Sequence, residues 1–491
     1  MKEKVTKRRL VASAAIFALF YILTLLLVFV MIVINQPQGW KNYFISNYSD
    51  AILVCACIFL LYAIIFYYYF FENKEFISKP KNVILILSVI MLSLVLNYTF
   101  SRIVGDVYIR PASMLALMFV FLLNRRQAII LNFVFAFLMF VIDRNTNMVL
   151  GTNQQYFSLM LTFVSGTVGI FLAGTNKTRG GLMLTGIISA IPTVVVILLF
   201  AIPEISESGW IRYVTVAGYG IIGSVMSAMF ALALLPAFER IFNVLTVFRL
   251  SELTSTNAPI LVRLKKEAPG TFNHSLVVAH LSESCAVAIG ENAELARAAG
   301  YYHDVGKLKQ PECFTENQTD YNVHDELTPE LSSDIIRSHA KDGYDYLMSA
   351  HLPEIIASVA LEHHGTLPIK YFYNKAVKLS GEQLDTKDYS YLGPTPRSKI
   401  AAIVMIADSS EAAVRAISDR SVESVERIVR GIIEERMDLD QFSDCDITLK
   451  ELTTIKETLV GALAGVHHHR VKYPAIRFNR GRQTIDEGKL Q

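Results

Sequence analysis

Apolar runs dominate the first 237 residues, and amphipathic patterns with polar connections take over afterwards. The runs are Val11–Ile34, Ala51–Phe71, Val83–Val104, Ala112–Leu123, Ala128–Ile142, Phe157–Ala173, Gly181–Ile202 and Tyr213–Leu235. Several reach the ~20 residues that cross a bilayer core. The fourth and fifth, split by Arg125 and Arg126, are short and would borrow flanking residues. The first is too long for a signal-peptide core and no small-residue cleavage site follows, so it is expected to stay as an anchor.

From residue 271 the apolar positions recur at helical spacing. They predict helices over Thr271–Ile289, Asn292–Tyr302, Ser332–Ala350, Pro353–His363, Arg397–Ile417, Val422–Met437 and Leu449–Val466. Alternating β patterns are lacking. The expected fold class is all-α, a polytopic helical membrane bundle followed by an all-helical soluble domain. The predicted divisions are 1–50 (anchor helix and short outer loop), 51–237 (seven-helix transmembrane domain), 238–270 (connector), 271–475 (soluble domain) and 476–491 (basic tail). Within the connector, Ile241, Leu245 and Phe248 recur at helical spacing and Asn257-Ala258-Pro259 breaks the run before Leu261 and Leu264. This segment reads either as a helix lying at the membrane interface or as a transmission element, and the two are compatible.

Composition agrees: 52% of residues are hydrophobic and only 18% charged, against about a quarter charged in a soluble protein. Charge also orients the chain. With the N-terminus inside, twelve basic residues fall on inner segments (among them Lys7, Arg8, Arg9, Arg125, Arg126 and Arg179) against five on outer ones: Lys41, Arg102, Arg110, Arg144 and Arg212. Eight crossings then return the charged C-terminal half to the cytoplasmic face of the cell membrane. No repeated Asp, Glu or His is expected inside the spans, which argues against a proton relay or ion path. The five cysteines show no zinc-finger spacing and no even count for a disulfide framework, so they read as reduced packing residues.

The candidate chemistry sits in the soluble half. His274 starts its first helix, His303-Asp304 ends the second, His339 lies within the third, His363-His364 ends the fourth and Asp408 closes an apolar helix. Five His and two Asp on five helices would converge in one bundle and supply ligands for two divalent ions. Imidazole with carboxylate suits Mn or Fe, and no thiolate is placed to select zinc. Two ions ~3.5–4 Å apart can hold a bridging hydroxide and polarise phosphate oxygens. Asp304, central in order, is the natural bridge, and Lys307 can meet a phosphate as a point charge, with the small Gly306 letting it approach. The other histidines read differently. His280 points away from His274 on the same helix, His324 and His351 read as surface groups near breaks, and His467-His468-His469 reads as a solvated edge, since consecutive helical residues do not face one another.

The order His274, His303-Asp304, His339, His363-His364, Asp408 resembles the HD-domain phosphohydrolases. The stretches at Ala268–Ser275, Tyr301–Lys307, Asn322–Leu327, His363–Thr366, Tyr371–Tyr373, Gly393–Lys399 and Asp444–Leu449 resemble the seven-transmembrane HD proteins of the PgpH type, over residues from about 51 to 475. That resemblance implies hydrolysis of cyclic di-AMP to pApA. It also implies one metal held by His274, His303, Asp304 and Asp408 and a second by Asp304, His339, His363 and His364. The implied partners are a cyclic dinucleotide and the lipid bilayer, with no nucleic-acid polymer; homodimerisation stays open. Two departures stand out. Only Gln36–Asp50 occupies the place where such proteins carry a large extracellular domain, and Phe272-Asn273 replaces a more usual Tyr-His before His274. The competing readings are another HD substrate (cyclic di-GMP, guanosine polyphosphates, a deoxynucleotide) and a non-catalytic nucleotide-binding membrane receptor. The His363-His364-Gly-Thr-Leu-Pro stretch, with no Gly-Tyr-Pro motif downstream, argues against cyclic di-GMP.

Overall fold

The computed structural model describes residues 7–35, 41, 45, 47–146, 152–174, 178–318 and 321–465, apart from the side chains of 152–155, 203–208 and 465. His467-His468-His469, the basic tail and most of Gln36–Asp50 lie outside the described residues. Among the described residues no strand forms; a single antiparallel bridge joins Pro368 and Ser390.

Among the described residues, eight helices of nine residues or more build the membrane half: α1 (Lys7–Asn35), α2 (Tyr48–Glu72), α3 (Pro80–Val104), α4 (Met114–Leu122), α5 (Arg125–Thr146), α6 (Thr152–Ala173), α7 (Arg179–Ser208) and α8 (Trp210–Phe242). Seven of these are long and apolar enough to cross a membrane, and α4 is the exception. The fifth run, short by composition, reaches 22 residues by extending into Arg125-Arg126 and Asp143–Thr146.

The fourth run reaches from one end of the bundle to the other by a different means. Its nine-residue helix is only ~14 Å long. Arg110, before α4, pairs with Asp143 near the far end of α5, while Arg125 after α4 begins α5. The chain therefore travels ~27 Å between Arg110 and Arg125, the rise of the eighteen steps from Arg125 to Asp143. Non-helical flanks supply the rest. Irregular backbone survives at this depth only when enclosed by protein, and eight of the nine α4 residues are buried. Gly223 of α8 makes the close approach: a Cβ there would lie 2.6 Å from the Arg110 carbonyl oxygen.

This segment also corrects the expectation for charge. Arg110 and Asp143, assigned to outer loops or passed over, are 3% and 2% exposed and form a two-pronged ion pair, with Ser101 and Ser158 completing the network.

Side-chain contacts show which helix ends lie together. The Ser13 hydroxyl of α1 donates to the Ile77 carbonyl in the turn between α2 and α3 (2.6 Å). Arg126 at the start of α5 meets Glu72 at the end of α2 (2.9 Å). Phe121 of α4 packs on Phe248 in the connector, ring centroids 4.6 Å apart. The N-terminal end of α1 and the connector thus share one end of the bundle. At the opposite end the Asn35 amide donates to the Thr146 carbonyl (3.0 Å).

The connector is not one continuous stripe. α8 stops at Phe242 because Asn243 adopts the left-handed conformation (φ 49°). α9 (Val247–Leu253) then starts under a Thr246 cap, and α10 (Pro259–Glu267) follows. Ile241 is consequently exposed while Phe248 is buried.

The second half comprises α11 (Pro269–Ile289), α12 (Ala293–Tyr302), α13 (Pro329–Ser349), α14 (Glu354–Glu362), α15 (Lys370–Ser380), α16 (Lys399–Ala416), α17 (Val422–Asp438) and α18 (Leu449–Gly465). Its core runs from Leu250 to Leu463 and centres on α16, twelve of whose eighteen residues are buried. α15 was not anticipated: only Phe372 and Ala376 of its eleven residues are buried, too few for a clear apolar stripe.

Candidate metal centre

Three of the five helices that carry the predicted site residues begin on side-chain caps. Asn292 accepts from the Leu295 amide at the start of α12, Thr328 from Leu331 before Pro329 in α13, and Ser398 from Ala401 in α16. Each oxygen satisfies an otherwise orphaned N–H and fixes where the helix begins. His303 and His363 are the C-caps of α12 and α14. His274 stands inside α11 rather than at its start, and Asp408 sits mid-way along α16, which continues to Ala416. The apolar stretch before Asp408 ends there because Asp408 and Ser409 line a cleft and Glu411 turns to His274.

All seven predicted ligands meet. His274 Nε2 lies 2.9 Å from Asp408 Oδ1 and 3.7 Å from Asp304 Oδ2. His303 Nε2 is 3.2 Å from the same Asp304 oxygen and 3.8 Å from Asp408 Oδ1. On the other side, His339 Nε2 and His363 Nε2 lie 3.3 and 3.6 Å from Asp304 Oδ1. His364 Nδ1 is 3.9 Å from Asp408 Oδ2. Asp304, His339, His363 and His364 form one compact donor group; His274, His303 and Asp304 form another. Ligands ~2.1 Å from a common ion lie ~3.0–3.4 Å from one another, close to these separations.

Hydrogen bonds decide which nitrogen faces inward. The Nδ1 atoms of His303, His339 and His363 lie 2.8, 2.6 and 2.8 Å from the carbonyls of Gly300, Ile336 and Ala360. A carbonyl only accepts, so each Nδ1 carries a proton and each ring turns its Nε2 to the centre. Asp304 Oδ1 and His303 Nε2 are buried there without a hydrogen-bond partner. The Nε2 atoms of His339 and His363 converge on one carboxylate oxygen, Asp304 Oδ1, as donors around a shared cation would. That arrangement fits divalent ions.

His274 is held differently. Its Nδ1 donates to Glu411 Oε2 at 2.6 Å, a carboxylate behind an imidazole. Burial opposes its protonation, yet Asp408 and Glu411 outweigh that and raise its pKa to about 10. Burial would likewise raise Asp304, but the facing charges of His303 and Lys307 hold it well below the carboxylate range. His364 is pushed far down by burial, aided by neighbouring His363.

Lys307 and Gly306 depart from expectation. The Lys307 ammonium is not free: it sits 2.7 Å from Asp304 Oδ2 and 2.8 Å from Glu316 Oε1, over the Phe314 ring. Gly306 serves helix packing, since a Cβ there would lie 2.0 Å from the His339 carbonyl oxygen of α13. A cleft of about 360 Å³ opens on this cluster, with Lys307, Tyr391, Arg415 and Arg436 in its wall. Glu411 was missed, although its place three residues after Asp408 puts it on the same helix face. Tyr391, stacked on His364 with centroids 4.2 Å apart, lies in a loop with no periodic signal. His324, expected at the surface, is buried; its Nε2 meets the Cys313 carbonyl and its ring packs on Phe372.

Residues 48–246 match the family described as "7TM receptor with intracellular HD hydrolase", and residues 271–413 match the HD domain. The chain belongs to the seven-transmembrane HD family. Similar to it is the cyclic-di-AMP phosphodiesterase PgpH of Bacillus subtilis (strain 168), 41% identical over 312 residues, 63% of this chain and 44% of that protein. PgpH of Listeria monocytogenes is 34% identical over 443 residues, 90% of this chain and 60% of the relative. The chain thus spans about half the length of the curated relatives it matches. The crystal structure of the L. monocytogenes PgpH HD domain is 46% identical, covering 43% of this chain and all of that one, with a TM-score of 0.42. A second structure of that domain, in complex with cyclic-di-AMP, has the same identity and TM-score over 44% of this chain.

Proposed function

We propose that this seven-transmembrane HD protein is a metal-dependent phosphodiesterase of the cell membrane that hydrolyses cyclic di-AMP to pApA on the cytoplasmic side. In this reading α1 is the anchor, α2–α8 the seven-helix domain, 238–270 the connector and the remainder the HD domain. The cytoplasmic placement rests on the excess of basic residues at the end of the bundle shared by α1 and the connector.

The observation that carries the proposal is Asp304. Its two oxygens face separate imidazole sets, His339 with His363 and His274 with His303. His274, His303, Asp304 and Asp408 would hold one ion, and Asp304, His339, His363 and His364 the other. Two divalent ions, Mn or Fe, would supply an activated water and polarise a phosphoryl oxygen.

The protein's own residues do the positioning. Asp304 spans both donor sets from a fixed helix end. Glu411 locks the His274 ring, and Tyr391 backs His364. Lys307, held at the cleft between Asp304 and Glu316, presents a cation to an entering phosphate, and Arg415 and Arg436 add guanidinium groups for the second phosphate of a cyclic dinucleotide. Hydrolysis breaks one P–O3′ bond and leaves a free 3′-hydroxyl and a 5′-phosphate. The similarity to relatives named cyclic-di-AMP phosphodiesterases favours the adenine dinucleotide over other HD substrates.

The test offers cyclic di-AMP, cyclic di-GMP and a guanosine polyphosphate separately to the manganese-loaded full-length chain in detergent, with products separated by chromatography. Cyclic di-AMP should give pApA fastest. If it stays intact while another nucleotide is cleaved, the substrate assignment fails.

A further inference from the structure

A second cleft, about 770 Å³, lies where the two halves of the chain join. Its walls are the last turns of α8 (Pro236–Ile241), α9, the start of α10, Tyr302 at the end of α12, and the turn at Ala350–Leu352 between α13 and α14. Its depth relative to the membrane follows from α8. That helix has 33 residues, ~50 Å, against a hydrocarbon core of ~30 Å. Trp210 and Arg212 mark the outer end, where Arg212 meets Asp106. The core is crossed in some twenty residues, so Pro236–Ile241 emerges ~5–15 Å past it, in the headgroup layer. Ile241 is 73% exposed beside Arg240, as a residue facing lipid would be.

The charges of this cleft are unequally matched. Glu252 is paired with Arg179 at 2.7 Å, and Glu239 is buried against the Thr246 hydroxyl. Arg249 projects between the halves and donates to two neutral carbonyls, Glu239 (3.0 Å) and His351 (2.5 Å). No carboxylate lies within ion-pair distance of it among the described residues, and burial lowers its pKa. Arg249 is half-buried, and although Glu239 and Glu252 act on it from a distance, its guanidinium keeps room for a directly bonded anion. Arg240, two residues before the end of α8, stands exposed on the same wall without an ion pair among the described residues.

We propose that this cleft binds the phosphate headgroup of an anionic phospholipid, with Arg240 and Arg249 as its cationic partners and the acyl chains lying along Ile241. An occupant would touch both halves of the protein. Tyr302, in the wall, donates its hydroxyl to the Leu253 carbonyl (2.9 Å) and immediately precedes His303. The His351 carbonyl that Arg249 holds belongs to the turn joining the helix of His339 to the helix of His363. The proposal concerns binding and stands whether or not the substrate assignment does.

The test reads lipid retained by the full-length chain. Protein is reconstituted in nanodiscs of phosphatidylcholine with a minor share of phosphatidylglycerol, released into detergent, and examined by native mass spectrometry. Wild type should keep one phosphatidylglycerol per chain in preference to phosphatidylcholine. Arg240→Gln, an exposed substitution that leaves the fold intact, should reduce that occupancy about tenfold, as expected for one lost charge-assisted contact. Arg249→Gln should reduce it further. A control, Lys74→Gln with Lys81→Gln, removes interfacial charge away from the cleft and should leave retention unchanged. Equal retention by wild type and Arg240→Gln, or equal loss in the control, would overturn the proposal. Displacement of the lipid by millimolar inorganic phosphate would instead identify a site for soluble phosphate, and would also reject the lipid as occupant.

Discussion

Replacing Gly306 by alanine should damage the metal centre without touching a ligand. The added Cβ would fall 2.0 Å from the His339 carbonyl oxygen and 2.6 Å from the Gly343 amide nitrogen, both backbone atoms of α13. Neither can rotate away, so the turn carrying Gly306 and α13 must separate by more than 1 Å. Overpacking of this kind costs ~1–3 kcal/mol, which lowers the unfolding midpoint of a domain this size by ~3–10 °C. The same displacement pulls His339 from Asp304, whose Nε2–Oδ1 distance is 3.3 Å. Manganese affinity should fall roughly tenfold or more, as it does when the support of a ligand is removed. Thermal unfolding of chelator-treated protein and calorimetric manganese titration read the two effects. Gly431→Ala is the control: nothing lies within 4 Å of its Cβ in α17, and it should gain up to ~1 kcal/mol. A Gly306→Ala protein with an unchanged midpoint and unchanged manganese affinity would refute the packing argument.

Other outcomes follow from particular contacts. Glu411→Gln keeps the shape but weakens the acceptor behind His274 (2.6 Å), so metal affinity measured by chelator competition should fall ~10–100-fold with little change in melting. In metal-free protein His274 has a pKa of about 10 against the usual ~6.5. Its stabilising contribution is therefore full below pH ~6.5 and is lost as pH rises toward 10, so the unfolding midpoint should decline across that window. Calorimetry in buffers of different ionisation enthalpy should also register proton release when manganese binds at pH 7; no release would contradict a protonated His274. Arg110→Ala leaves Asp143 buried and unpaired and should cost ~3–5 kcal/mol, visible as lost folded yield in detergent, whereas Arg110→Met with Asp143→Leu should recover most of it.

The parts legible in the sequence are those set by local periodicity. Apart from α15, the helices from Pro269 to Gly465 follow from apolar residues three and four apart, and predicted ends differ from observed ones by a few residues. The convergence of the seven donors was legible for a related reason: one such imidazole or carboxylate can be a simple helix-end residue, but seven of them on apolar helices point to a common cluster. Features that depend on distant segments were not. The Arg110–Asp143 pair joins residues 33 apart, and its burial depends on α4 being too short to keep Arg110 outside. Gly306 looked like room for Lys307, but its neighbour is a helix that begins more than twenty residues later. Lys307 looked free because Glu316, its partner, lies beyond two irregular turns. Glu411 alone was within reach of sequence reasoning, by its spacing from Asp408.

The central claim is that Asp304 joins two metal ions into a phosphodiesterase site. Metal content by mass spectrometry and cyclic di-AMP turnover, taken on one sample each of the full-length chain and its Asp304→Ala variant, test it most directly. The wild type should hold two Mn or Fe ions and form pApA, and the variant should remain folded, lose metal and form none. A wild type holding a single ion, or a variant that still cleaves cyclic di-AMP, would contradict the account.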